Sequence, residues 1–167
     1  MLTIETGSGN PIADSFATLE EFVEYSAMFA RVIPADPAQQ EALLRRAALH
    51  MGTLRWKGSR ANPNQALAWP RSGVTRDGAY VPSDSIPREI VQGQVALAAE
   101  LYAMEQKLAS GETGPVIREK VDVLEVQYAA PVINTGKLLP VAADAQSSAL
   151  FADFLQSRGL FVVAHRA

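Results

Sequence analysis

The chain contains no cysteine and only two histidines, His50 and His165. The first absence excludes disulfides and thiol chemistry. With so few histidines, a zinc site would have to rely on carboxylates, so no metal is expected. No apolar run approaches the roughly 18 to 20 residues of a membrane span, and the opening MLTIETGSGNP lacks the basic and apolar regions of a secretory leader. The expectation is a protein made and kept in a cytoplasm, with no membrane partner. Reaction signatures are missing too. Ser, His and Asp all occur, but His50 falls inside a predicted helix and His165 in the tail, and no nucleophile elbow or paired-carboxylate pattern frames them. No enzymatic activity, catalytic residue or cofactor is expected.

What is present fits one soluble globular domain with a sizeable core: 167 residues, 48% apolar and 20% charged. The net charge of −3 conceals a division along the chain. Residues 1–41 carry seven acids and the single base Arg31. Residues 42–76 carry Arg45, Arg46, Arg55, Lys57, Arg60, Arg71 and Arg76 with no acid, and the remainder is again acidic. A block of one sign is either a solvated face or a surface that meets phosphates or carboxylates.

Local signals predict a mainly α fold, a small bundle of about three long helices plus a short C-terminal one. In TLEE, Thr18 is an N-cap with Glu21 three positions on, and Leu19, Phe22, Val23 and Phe29 follow at near-helical spacing, giving a helix over about 18–31 that Pro34 ends. Asp36 and Pro37 restart the chain, and Leu43, Leu44, Ala47, His50, Met51 and Leu54 mark the core stripe of a helix to about residue 53. After Ser85 or Ile86 as cap and Pro87 as an early helical residue, Ile90, Val91, Gln94, Leu97, Ala98, Leu101 and Met104 form the third stripe. Gly93 and the alanines beside it leave room for another helix to approach closely.

Beyond Pro115 the period changes. REKVDVLEVQY reads as a strand with a bulge near Leu124, Asn134–Gly136 as a turn, and KLLPVA as a second strand, so residues 118–142 predict a β-hairpin or extended arm. A short helix follows, with Ser147 or Ser148 as cap and Gly159 as stop. The predicted division is a helical core domain over 1–117, with a long ordered loop over 54–86, and a hairpin and C-terminal arm over 118–167 that packs on the core or on a neighbouring subunit. In the tail GLFVVAHRA, Leu160, Phe161, Val162 and Val163 form an apolar run suited to a docking arm.

The loop over 54–86 is too long for a plain connection. Its apolar residues and turn formers predict order, with Trp56, Trp69 and Pro70 as structural anchors. Arg55, Lys57, Arg60, Arg71 and Arg76 are candidate contacts to a partner or to DNA. Two readings stand side by side: buried tryptophans with basic residues bonded to loop carbonyls, or an exposed stacking platform for single-stranded nucleic acid.

The stretches GSGNPIADSFATLEEFVEY, LRRAALHMGTLRWKGSRANPNQALAWPRSGV and DGAYVPSDSIPREIVQGQVALAAEL carry a resemblance. They resemble the head-to-tail connector (adaptor) family of tailed bacteriophages, many of whose members are labelled DnaT-like single-stranded DNA-binding proteins. The likeness spans roughly residues 7–108, and its specific part runs from Trp56 through QALAWPR to the IP at Ile86 and Pro87. The Gly7–Pro11 stretch lacks the lysine of a phosphate-binding P-loop. The resemblance implies a helical subunit that assembles with itself, commonly twelvefold, into a ring beneath the portal protein and next to a tail or neck component. Double-stranded DNA would pass through the lumen transiently and without sequence preference. Such a subunit belongs to the virion neck and, during assembly, to the host cytoplasm. The alternative is a DnaT-like single-stranded DNA-binding protein.

Overall fold

The computed structural model describes residues 1–110 and 145–156, with the backbone of two short strands at Val116–Arg118 and Gln127–Tyr128. The fold is mainly helical, with small antiparallel strand pairs.

Helix α1, Leu19–Met28, opens on the capping box that TLEE spells. Thr18 Oγ1 accepts from the Glu21 N–H at 3.1 Å, and the Glu21 carboxylate accepts from the Thr18 N–H at 2.7 Å. It ends three residues before the expected residue 31. Ala30 adopts a left-handed φ of 49°, its N–H bonds the Ala27 carbonyl at 3.4 Å, and the Arg31 N–H reaches back to Ser26 at 2.8 Å. That Schellman turn satisfies the last carbonyls before Pro34 is reached. Pro34 is buried instead, and its carbonyl accepts from Gln40 Nε2 at 2.7 Å.

Helix α2, Pro37–Gly52, starts as expected, with the Asp36 side chain accepting from the Ala38 N–H at 3.0 Å and proline in the first turn. Leu43, Leu44, Ala47, Ala48 and Met51 are buried, whereas His50 and Leu54 are only partly so. Helix α3, Arg88–Ala109, is capped at Pro87 rather than at Ser85 or Ile86. The Ser85 hydroxyl bonds the Pro82 carbonyl at 3.0 Å and closes the preceding turn.

Helix α3 is the axis of the molecule, packed against α1, α2 and the short α4, Gln146–Phe151. Val95, Ala96, Leu97, Ala98 and Ala99 are therefore consecutively buried, a burial wider than a single stripe. Gly93 provides the close approach: a Cβ there would enter the ring of Phe151 in α4. Residues 145–156 thus pack on the core of their own chain. The cap of α4 is also not the expected serine. Ala145 holds the cap position without a side-chain bond, and Glu100 of α3 supplies the missing acceptor, receiving the Ser147 N–H at 3.1 Å and its hydroxyl at 2.5 Å.

The segment 54–86 holds two miniature hairpins where the sequence suggested irregular loop. Strand β1, Ser59–Arg60, pairs with β2, Arg71–Ser72, and β3, Thr75–Arg76, pairs with β4, Ala79–Tyr80. In the arm, β5, Val116–Arg118, pairs with β6, Gln127–Tyr128, across a register shift. The stretch expected as one strand over 118–128 therefore supplies residues to both strands of that pair, Arg118 to β5 and Gln127 and Tyr128 to β6. The expected turn at Asn134–Gly136, the strand KLLPVA and the apolar tail residues Leu160, Phe161, Val162 and Val163 lie outside the described residues.

One polar side chain fastens these parts. Gln94, fully buried in α3, accepts through Oε1 from the N–H groups of Phe16 and Ala17 at 2.8 and 2.9 Å. Its Nε2 donates to the Leu44 carbonyl in α2 at 2.9 Å and to Ser15 Oγ at 3.0 Å. Replacing Gln94 with Leu keeps the bulk but leaves buried backbone donors without an acceptor. A loss of about 3 kcal/mol is expected in urea unfolding, with the helical content below the transition unchanged.

Candidate functional site

The loop between α2 and α3 is built around its two tryptophans. Trp56 is 3% exposed and Trp69 fully enclosed, with their rings edge to face at 5.9 Å and 83°. The segment after α3 closes the cluster: Phe151 meets Trp56 at 5.2 Å, and Phe154, in the 3-10 turn Ala152–Phe154, meets Trp69 at 5.5 Å. Both contacts are T-shaped, the arrangement that sets a positive ring edge against a negative face. Trp56 Nε1 donates to the Met51 carbonyl at 2.8 Å, while Trp69 Nε1 has no partner among the described residues. Pro70, joined to Trp69 by a cis peptide bond, is buried with it.

Backbone bonds lock the same contact. Trp56 bridges antiparallel to Leu155, the Lys57 N–H donates to Phe154 at 2.8 Å, and the Gln156 N–H donates to Arg55 at 2.8 Å. Gln65, the first residue of QALAWPR, is buried inside the loop. Its Nε2 donates to the carbonyls of Leu67 and Pro70 at 2.9 and 3.1 Å, and its Oε1 accepts from the Asn62 N–H at 3.0 Å. A glutamine beside asparagines and prolines reads as solvent-exposed loop, so no local signal marks it. Phe151 and Phe154 carry no local signal for a related reason: an apolar helix face does not declare which ring it covers.

The basic residues divide into two groups. Arg45 binds Asp14 and Glu41 at 2.7 and 3.1 Å, Arg46 binds Glu105 at 2.5 Å, and Arg76 pairs with Glu89 while its guanidinium lies 5.5 Å over the Phe154 ring. Hydrogen bonding to Arg76 in turn holds the Glu89 carboxyl below its usual range. These three cations are matched within the chain. Arg71, Lys57 and Arg60 instead bind carbonyls. Arg71 spans those of Lys57, Gly58 and Ala68 at 2.7, 2.8 and 3.1 Å, Lys57 Nζ reaches Asp153 O at 2.6 Å, and Arg60 bonds Gln65 O at 3.1 Å. Arg60 and Arg71 are partners across the first hairpin. Burial, and then the repulsion of Arg60, push the Arg71 pKa below its ordinary value. Arg55 is exposed, and among the described residues Arg55, Lys57, Arg60 and Arg71 have no carboxylate partner.

The glycine-rich GSGNP near the start forms an anion cradle that is already filled. The Glu5 carboxylate, itself buried, accepts from the N–H groups of Gly7, Gly9 and Asn10 at 2.8, 3.0 and 2.6 Å. Gly7 has a φ of 114° and lies so close to the Asp84 carbonyl that a Cβ would not fit. The cradle therefore ties the N-terminal segment to the end of the long loop and does not present itself to a phosphate. Among the described residues no cluster of three His, Asp or Glu side chains could hold a metal, and no helix is long and apolar enough to cross a membrane.

Two substitutions probe the construction of the loop. Trp69→Ala should cost about 3 to 5 kcal/mol, seen as a lowered melting temperature, because it empties a fully enclosed ring site. Arg71→Lys retains the charge but cannot span three carbonyls, and should cost about 2 kcal/mol by the same measurement.

No curated protein and no solved structure matches the chain, so the connector resemblance rests on the residues quoted for it. One family model matches residues 1–167, that is, all of the chain, and its description is "Putative DnaT-like ssDNA binding protein". The chain belongs to this DnaT-like family.

Proposed function

We propose that the chain is a non-catalytic structural subunit, a head-to-tail connector (adaptor) of a tailed phage or prophage. It would sit in the virion neck as part of a ring beneath the portal, next to a tail or neck component, with double-stranded DNA passing through the lumen. The observation that carries this reading over a stacking platform is the enclosure of both loop tryptophans by Phe151 and Phe154. Single-strand platforms work by offering aromatic faces to bases, and these faces are spent on the core. The loop becomes a rigid, cationic element suited to meeting another protein surface. The residues from Trp56 through QALAWPR, which carry the connector resemblance, are those that build it.

Single-stranded DNA binding is the second reading, favoured by the family match over the whole chain. If it holds, the contact would be made by Arg55, Lys57, Arg60 and Arg71 to the phosphate backbone and not by base stacking. Four neutralised phosphates would give a slope of log affinity against log salt of about −3.

Mass measurement of the purified chain, alone and mixed with portal oligomer, separates the two. A connector is expected to join the portal as a ring and to hold oligonucleotides only weakly at about 200 mM salt. Failure to join the portal, together with tight single-strand binding that Arg55→Glu abolishes, would replace this reading with the second.

A further inference from the structure

We infer that the outer face of α1 is a docking surface for a second copy of this chain and that its counterpart is the basic head of the long loop, so that copies join head to tail. This inference deepens the ring reading and rests on it. The α1 face is apolar with an acidic edge. Val23, Met28, Phe29 and Val32 are 44, 67, 48 and 77% exposed, a run of large apolar residues continuing through the Schellman turn. Glu20 and Glu24 are exposed beside them, without an ion pair among the described residues, and the last turn of α1 holds no base. Between α1 and α3 runs a groove of about 240 Å³ lined by Glu21, Glu24, Tyr25 and Met28, with Arg88 as its cationic residue. The Tyr25 hydroxyl is buried there without a hydrogen-bond partner among the described residues.

The opposite character gathers at the head of the loop. The guanidinium of Arg71 holds the Lys57 and Gly58 carbonyls, and Arg60 pairs with Arg71 across the hairpin, which sets two cations together in the loop that follows the exposed Arg55. Ala61, exposed next to Arg60 in the chain, offers a position for a probe at this head of the loop. Among the described residues, no hydrogen bond or ion pair joins the two surfaces within one chain. The first surface is thus mainly acidic and the second mainly basic. Complementary charge selects the partner and fixes its orientation, and apolar area of this kind is normally covered. Because the two surfaces differ, the contact is heterologous. It propagates around a ring instead of closing as a symmetric pair.

The absence of cysteine makes a direct test available. Met28→Cys and Ala61→Cys, combined in the full chain, are treated with a short bis-maleimide, alone and on the portal oligomer. Head-to-tail docking gives a ladder beyond dimer. Glu20→Lys with Glu24→Lys, or Arg55→Glu with Arg60→Glu, each added to that pair, should weaken the ladder at least about tenfold, while melting curves report that the variants fold. Mixing the two charge-reversed proteins should restore it, since each then supplies the charge the other lacks. Dimers from either single-cysteine variant alone would show a symmetric contact and overturn the inference. So would the absence of a ladder in both conditions. So would a ladder indifferent to Arg55→Glu with Arg60→Glu when oligonucleotide binding is lost, which would give the basic face to nucleic acid. Loss of portal binding with the ladder intact counts against the connector reading and leaves the docking inference standing.

Discussion

The four hydrogen bonds of Gln94 are the constraint on which the body of this protein depends. A buried amide is tolerated in a helix interior only where each of its groups is met, and here the partners come from two places: Ser15, Phe16 and Ala17 in the segment before α1, and the Leu44 carbonyl of α2. The amide orients those parts as well as satisfying them. Phe16 and Ala17, held by Oε1, immediately precede the capping box at Thr18, so the entry of α1 is set by a side chain of α3. Without that fixed point the three helices would still be amphipathic, but their mutual rotation would rest chiefly on apolar packing, which is less directional.

A second tier of order builds on the first and is made of rings. Trp56 and Trp69 sit between the end of α2 and residues 151–156, and two T-shaped contacts with Phe151 and Phe154 close the long loop onto the core. Phe151 reaches Trp56 only because Gly93 leaves space on α3. The same arrangement places Arg60 and Arg71 on carbonyls of the long loop and Lys57 on that of Asp153, where their charges are held in position but not neutralised. Order in the loop and its cationic surface therefore have one origin. On the proposed reading, such a loop recognises a surface and does not wrap a flexible strand.

Membership of the DnaT-like family and the enclosure of the tryptophans pull toward different functions. The tension eases once aromatic stacking and phosphate contact are separated. The family description concerns single-stranded DNA, whereas the buried rings bear only on stacking. What remains open to either partner is a set of cations without carboxylates, and that set is where protein and nucleic acid compete as explanations.

Local chemistry was legible in the sequence. Thr18 with Glu21, Asp36 with Pro37, and the apolar spacing of α2 and α3 act over one or two helical turns, so neighbours in the chain are sufficient to specify them. The expectations missed in two ways, through a local backbone turn and through a distant residue. Ala30 ends α1 before Pro34 because left-handed turns form at alanine when backbone bonds compensate, and Glu100 caps α4 from another helix in place of the expected serine. Composition alone marked residues 42–76 as a basic block. Only the tertiary structure decided which of those charges are spent, because an ion pair such as Arg46 with Glu105 or Arg76 with Glu89 joins residues far apart in the chain. The same holds for the tryptophans. Their identity and the prolines around them foretold an anchored loop, but whether their faces meet solvent or other rings depended on Phe151 and Phe154, placed there by the packing of α4 on α3.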